Sequence, residues 1–172
     1  MKRISVKEMV VFSLLGAIMF MSKQLLEFLP NIHMLGMLTM VYTLVYRKKA
    51  LVPVYVFVLL EGVIAGFAMW WVPYLYIWTV LWGATMMLPK NMPTKIATPV
   101  YMIVCALHGL CYGTLYAPFQ AVYMGLGLKA TLAWIVAGLP WDGVHALGNL
   151  LLGTLIVPLV ILLRRLNNQI NL

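Results

Sequence analysis

The chain has 172 residues, 64% of them hydrophobic and only 9% charged, whereas a soluble domain of this size carries roughly a quarter charged residues. That composition excludes an ordinary soluble globule and predicts an integral membrane protein. The net charge of +8 does not indicate nucleic acid, because the cations stand singly or in short clusters at the ends of apolar runs, with no basic stripe.

Ten of the 12 Lys and Arg residues fall in four places: Lys2, Arg3 and Lys7; Arg47, Lys48 and Lys49; Lys90 and Lys95; Arg164 and Arg165. Cations flanking membrane spans are retained on the cytoplasmic side. Their alternation therefore predicts an all-α bundle of six transmembrane helices, forming one membrane domain with both termini cytoplasmic. The first span is expected over 8–29, stopping at Pro30-Asn31; it is too long, and lacks the cleavage site, for a signal peptide. The second, 33–46, is short and closed by the Arg47 cluster. The third, 50–69, has Pro53 in its first turn, where a missing N–H costs little. The fourth covers 73–88 and the fifth 96–117. The segment 118–140 is apolar but broken by glycines, and reads as an outward helix or re-entrant cap. The sixth span is 141–163, with Pro158 kinking its inner half. Cys105 and Cys111 point in different directions on one helix, so they read as apolar fillers rather than a disulfide.

Ionisable side chains within spans each need an explanation. Glu61 lies roughly 12 Å below the outer end of its span at 1.5 Å per residue. It serves either as a ligand or coupling group, or as structural glue to another helix, with His108 as a partner. His108, Tyr112 and Tyr116 follow one helix face at i, i+4, i+8. Asp142, His145 and Asn149 do the same at i, i+3, i+7, with Asp142 also suited to capping its own helix start. Lys23 and Glu27 are spaced to pair with each other, and Lys23 is the cation nearest the expected pocket. Asn31 and His33 occupy the first outward loop, where Pro30-Asn31 is also ordinary turn chemistry. Trp71, Tyr74 and Trp78 descend from the outer interface at helical spacing. They serve either as belt anchors or as flat walls for a planar heterocycle or a cation.

Several chemistries lack their motifs. There is no G-x-x-x-x-G-K-[ST] for nucleotide phosphates and no H-E-x-x-H or Cys/His metal spacing. The serines (Ser5, Ser13, Ser22) suggest no nucleophile with partners. The expectation is a protein without catalytic residues, metal or cofactor, and not an enzyme.

Two runs carry a further likeness. One is Leu60-Glu61-Gly62 through Gly66-Phe67 and on to Trp70-Trp71-Val72-Pro73-Tyr74-Leu75-Tyr76-Ile77-Trp78. The other is Leu139-Pro140-Trp141-Asp142-Gly143-Val144-His145, ending at Gly148-Asn149. With its six short spans and inside termini, the chain resembles the substrate-binding S components of energy-coupling factor (ECF-type) vitamin transporters. The resemblance implies a high-affinity subunit of an ABC importer in the cell membrane of a prokaryote. Such a subunit captures a small planar micronutrient (a vitamin, a precursor or a nucleobase-like compound) at its outward face. It would use the first, third and fifth outward loops and nearby helix ends: Asn31 and His33, residues 70–78, and 120–149.

The resemblance also implies partners: a transmembrane coupling subunit and two cytoplasmic ATPase subunits that drive transport. Docking would use a small-x-x-x-small pair on the first helix, here Ser13 and Ala17. The substrate-binding set expected is Asn31, His33, Glu61, Trp71, Tyr74, Trp78, His108, Tyr112, Asp142, His145 and Asn149. Glu61 and Asp142 would face a cationic or N–H-rich part of the ligand. Two rival readings remain: a stand-alone proton-coupled transporter using Glu61 and His108, and an intramembrane enzyme using Asp142 and His145.

Overall fold

The computed structural model describes residues 4–172, so Lys2 and Arg3 of the first cationic cluster lie outside the described residues. Among the described residues the chain is all-helical: α1 (Val6–Leu25), α2 (Leu35–Tyr46), α3 (Leu51–Ala65), α4 (Tyr74–Met87), α5 (Thr94–Leu110), α6 (Tyr112–Met124), α7 (Leu128–Gly153) and α8 (Ile156–Ile170). Single 3-10 turns at Arg47–Ala50 and Met69–Trp71 link α2 to α3 and α3 to α4.

α2 is the centre of the bundle. Every residue from Leu35 to Leu44 is buried, as expected of a helix that is apolar all round and bears no charge. Its 12 residues reach only about 18 Å, well short of the roughly 30 Å of a bilayer core.

α1 starts in a capping box: the Ser5 hydroxyl accepts from the Glu8 N–H at 3.2 Å and the Glu8 carboxylate accepts from the Ser5 N–H at 2.9 Å, which satisfies two free donors. It then packs on α3 through Gly16, where a Cβ would stand 2.5 Å from Val56 Cγ1 and 2.8 Å from the Pro53 carbonyl. Gly16 is thus the residue of α1 that permits close helix approach. Ser13 is exposed and Ala17 half-buried.

The second half of the chain departs from the expected boundaries. The fifth span breaks once, at Cys111 between α5 and α6, and Pro118, inside α6, removes one hydrogen bond without ending the helix, which runs on to Met124. The stop comes at Gly125, whose φ of +63° is the left-handed cap that glycine adopts without strain. Residues 118–140 are therefore not a separate cap but the tip of a helical hairpin, shared between α6 and the first half of α7. The sixth helix begins at Leu128 rather than 141. It breaks at Thr154–Leu155 and restarts as α8. Pro158 accounts for the break, because its ring clashes with the carbonyl four residues back, which belongs to Thr154.

Two stretches, 94–124 and 128–153, are long and apolar enough to cross a membrane, with only 28% and 22% of their most apolar windows buried. Leu107, Val136, Leu147 and Leu151, among others, project outward from them.

Apart from Lys23 and Lys129, the cations of the described residues gather at one end. Arg47 Nη2 donates to the Met86 carbonyl at 2.9 Å and Arg164 Nη2 to the Leu44 carbonyl at 3.3 Å. Each cation thus satisfies a helix C-terminus, where the dipole favours positive charge. Lys49 pairs with Glu8, and Lys7 reaches the Ile170 carbonyl at 3.4 Å. The starts of α1 and α3 and the ends of α2, α4 and α8 therefore share this face.

Candidate functional site

The opposite end holds a cavity of about 220 Å³. Its roof is the loop 26–34, a series of tight turns in which the Leu29 N–H donates to Leu26 and the Ile32 N–H to Leu29. Asn31 takes a φ of +60°, which asparagine tolerates better than most residues. The loop then turns His33 inward above the short α2. Tyr74 from α4, Tyr112 from α6 and His145 from α7 complete the walls, and Lys23 and Glu27 of α1 stand at the side.

The walls form one connected aromatic cluster. The His33 and His145 rings lie 4.5 Å apart edge to face, and Tyr112 lies 4.9 Å from His145. Behind them Trp78 is completely buried, with His33, Tyr74, His108 and Tyr112 all within 6.2 Å between ring centres. Tyr112 continues the ladder to Tyr116, which stacks on Trp134 at 6.0 Å and so ties α6 to α7. The i, i+4, i+8 spacing survives the helix break at Cys111.

The polar atoms of this cluster are short of partners. His33 Nδ1, Trp78 Nε1, His108 Nδ1 and His145 Nε2 are all buried and find none within the protein. Only the other nitrogen of His108 is engaged, with the Ile77 carbonyl at 3.2 Å. An unpaired buried polar group costs about 1–3 kcal/mol, and four in one cluster is a concentration that structural packing alone does not explain.

Lys23 meets Glu61 rather than Glu27. Its ammonium lies 2.6 Å from Glu61 Oε2 and 5.9 Å from the centre of the Trp70 ring. The physical reason is burial: Glu61 is fully enclosed, so an uncompensated charge there is far more costly than on Glu27, which water solvates. Glu61 Oε1 remains without a partner, and His108, expected beside it, is bonded to α4 instead.

Three other expected ligand groups are engaged in the scaffold. Trp71 donates its Nε1–H to the Val58 carbonyl at 2.7 Å and packs edge to face on Phe67, closing the end of α3 outside the cavity. Asp142 does cap a helix, but not its own: both carboxylate oxygens lie 3.1 Å from the Gly113 N–H, in the first turn of α6 after the Cys111 break. A Cβ at position 113 would come within 2.6 Å of Asp142 Oδ2, so this cap requires glycine. Asn149 donates to the Cys105 carbonyl at 3.1 Å and fills the gap left by Gly36 and Gly109.

Five expected residues thus line the cavity (Asn31, His33, Tyr74, Tyr112 and His145), with Trp78 and His108 directly behind. Glu61 reaches it only through Lys23, while Trp71, Asp142 and Asn149 lie outside. Glu61 is engaged by Lys23 through Oε2 and Asp142 by the Gly113 N–H, and neither of the two lines the cavity. Lys23 and Glu27 are the charged lining residues that the expected site omitted, beside the apolar Leu26, Leu29, Pro30 and Ile32 of the loop.

No family model, no curated protein and no solved structure matches this chain.

Proposed function

We propose that the chain is a six-span membrane protein, with both termini cytoplasmic, that captures a small planar solute at its outward face. In this reading α1, α2, α3 and α4 each cross once, α5–α6 form the fifth crossing and α7–α8 the sixth. The protein acts as the substrate-binding S component of an ECF-type importer, and does no covalent chemistry itself. A coupling subunit and two cytoplasmic ATPases supply the drive, with Ser13, which is exposed, and Ala17, which is half-buried, as the docking pair on α1.

One observation carries the reading: four buried ring nitrogens without protein partners converge beside a single cavity, at the end of the bundle opposite the arginines. Tyr74, Tyr112 and the two histidine rings are suited to enclosing a flat heterocycle, since aromatic faces and edges add to area burial. His33 Nδ1 and His145 Nε2 can each donate or accept, depending on tautomer, so the preferred solute carries hydrogen-bonding atoms around its rim. Lys23 supplies the cavity's one ammonium, already neutralised by Glu61. The solute is therefore a neutral heteroaromatic or one bearing a single acidic group, rather than a cation.

Titration of the detergent-purified protein with a panel of planar micronutrients and nucleobases tests this. One-to-one binding to a heteroaromatic compound is expected. Binding confined to aliphatic or strongly cationic compounds contradicts it.

A further inference from the structure

One recess at the basic end has no role in the capture reading. It is a cavity of about 390 Å³ between the start of α5, the loop before it and the outer half of α8. Ala97, Tyr101, Val157 and Ile161 give it apolar walls, and Lys90 and Arg164 stand at its rim. Arg164 is aimed by its bond to the Leu44 carbonyl, which uses one of the guanidinium donors and leaves the rest of the fork available.

These two cations are uncompensated. The chain has four acidic residues: Glu8 is paired with Lys49, Glu61 with Lys23, and Asp142 with the Gly113 N–H, while Glu27 lines the other cavity. The recess therefore presents positive charge above an apolar floor. The floor runs out to the surface of α8, where Ile161 is 43% exposed. A soluble anion would use the charges but not the walls, and an apolar helix the walls but not the charges. An amphiphile with a phosphate head uses both.

We propose that this recess seats one anionic phospholipid, its phosphate between Lys90 and Arg164 and an acyl chain along Val157 and Ile161. The inference rests on the membrane reading given above. The seat lies between α5, which leads into the helical hairpin, and α8, which follows the break at Thr154–Leu155, and a lipid there fixes their spacing.

The test is the lipid retained by protein purified in non-ionic detergent, read by native mass spectrometry. The same exchange is then made in nanodiscs of phosphatidylglycerol or phosphatidylcholine. Wild-type protein is expected to keep one anionic lipid. The double variant Lys90→Gln with Arg164→Gln should weaken its retention about thirtyfold, given about 1 kcal/mol per cation. Lys48→Gln with Arg165→Gln, whose cations do not line the recess, should keep it. Because Arg164 also caps α2, Lys90→Gln alone, with an unchanged melting temperature, must still lower retention. Equal retention by all variants, or no preference over phosphatidylcholine, overturns the proposal. So does displacement of the lipid by inorganic phosphate alone, which would assign the rim to a soluble phosphate ligand. Recovery of the protein from cells without detergent would instead sink the membrane reading itself, which keeps the two failures distinct.

Discussion

His33 and His145 each lack a protein partner for one ring nitrogen and face the same cavity, so both are expected to hold the solute. His33→Ala or His145→Ala should weaken binding about tenfold, the equivalent of one good hydrogen bond, with the melting temperature nearly kept. Trp71→Phe should do the reverse. It removes the bond to the Val58 carbonyl and about 1 kcal/mol of stability, and leaves affinity alone. Lys23→Ala strands a buried carboxylate and should cost about 3–5 kcal/mol in a denaturant titration, most of it restored by adding Glu61→Gln. If that second change restores nothing, the pair is not the reason Lys23 matters. Local spacing was enough to find Tyr112 and His145, because ring ladders follow the period of the helix that carries them. It failed for Trp71, Asp142 and Asn149. Their partners are backbone groups elsewhere (Val58, Gly113 and Cys105), and no periodicity reveals which distant N–H or carbonyl is left free.

The helix ends are legible where charge marks them, as at Arg47, Lys48 and Lys49 after α2, or charge and proline together, as at Lys90, Pro93 and Lys95 around the start of α5. They were misread where glycine and proline compete. Pro118 costs one hydrogen bond, whereas Gly125 supplies a left-handed cap, so the helix runs past the proline and stops at the glycine. Pro158 acts four residues upstream of itself, at Thr154, which moves the break outside its own turn. Glycine contacts make a test at this scale. Gly16→Ala drives a methyl into Val56 and the Pro53 carbonyl, and is expected to cost about 1–3 kcal/mol and separate α1 from α3. Gly143→Ala, in the middle of α7 with nothing within 4 Å, should be neutral or stabilising by up to about 1 kcal/mol. Thermal unfolding of the two variants in the same detergent checks the contrast; equal losses would mean that α1 and α3 do not approach through Gly16.

Across the whole molecule, the charge clusters and the aromatic cavity occupy opposite ends, the arrangement that the proposed capture at one end and docking at the other requires. With Cys105 and Cys111 replaced by alanine, a single cysteine at position 127 should react with an impermeant maleimide on intact cells. One at position 91 should react only after lysis. The central claim is that the imidazole-aromatic cavity under the first loop is where the solute binds. The most direct measurement is calorimetric titration of the identified solute against wild-type protein, His33→Ala, His145→Ala and the double histidine variant, each verified as folded. The account predicts one site per chain, about tenfold weaker binding in each single variant and a larger loss in the double variant. Tight one-to-one binding that survives the double variant unchanged would put the solute elsewhere and contradict it.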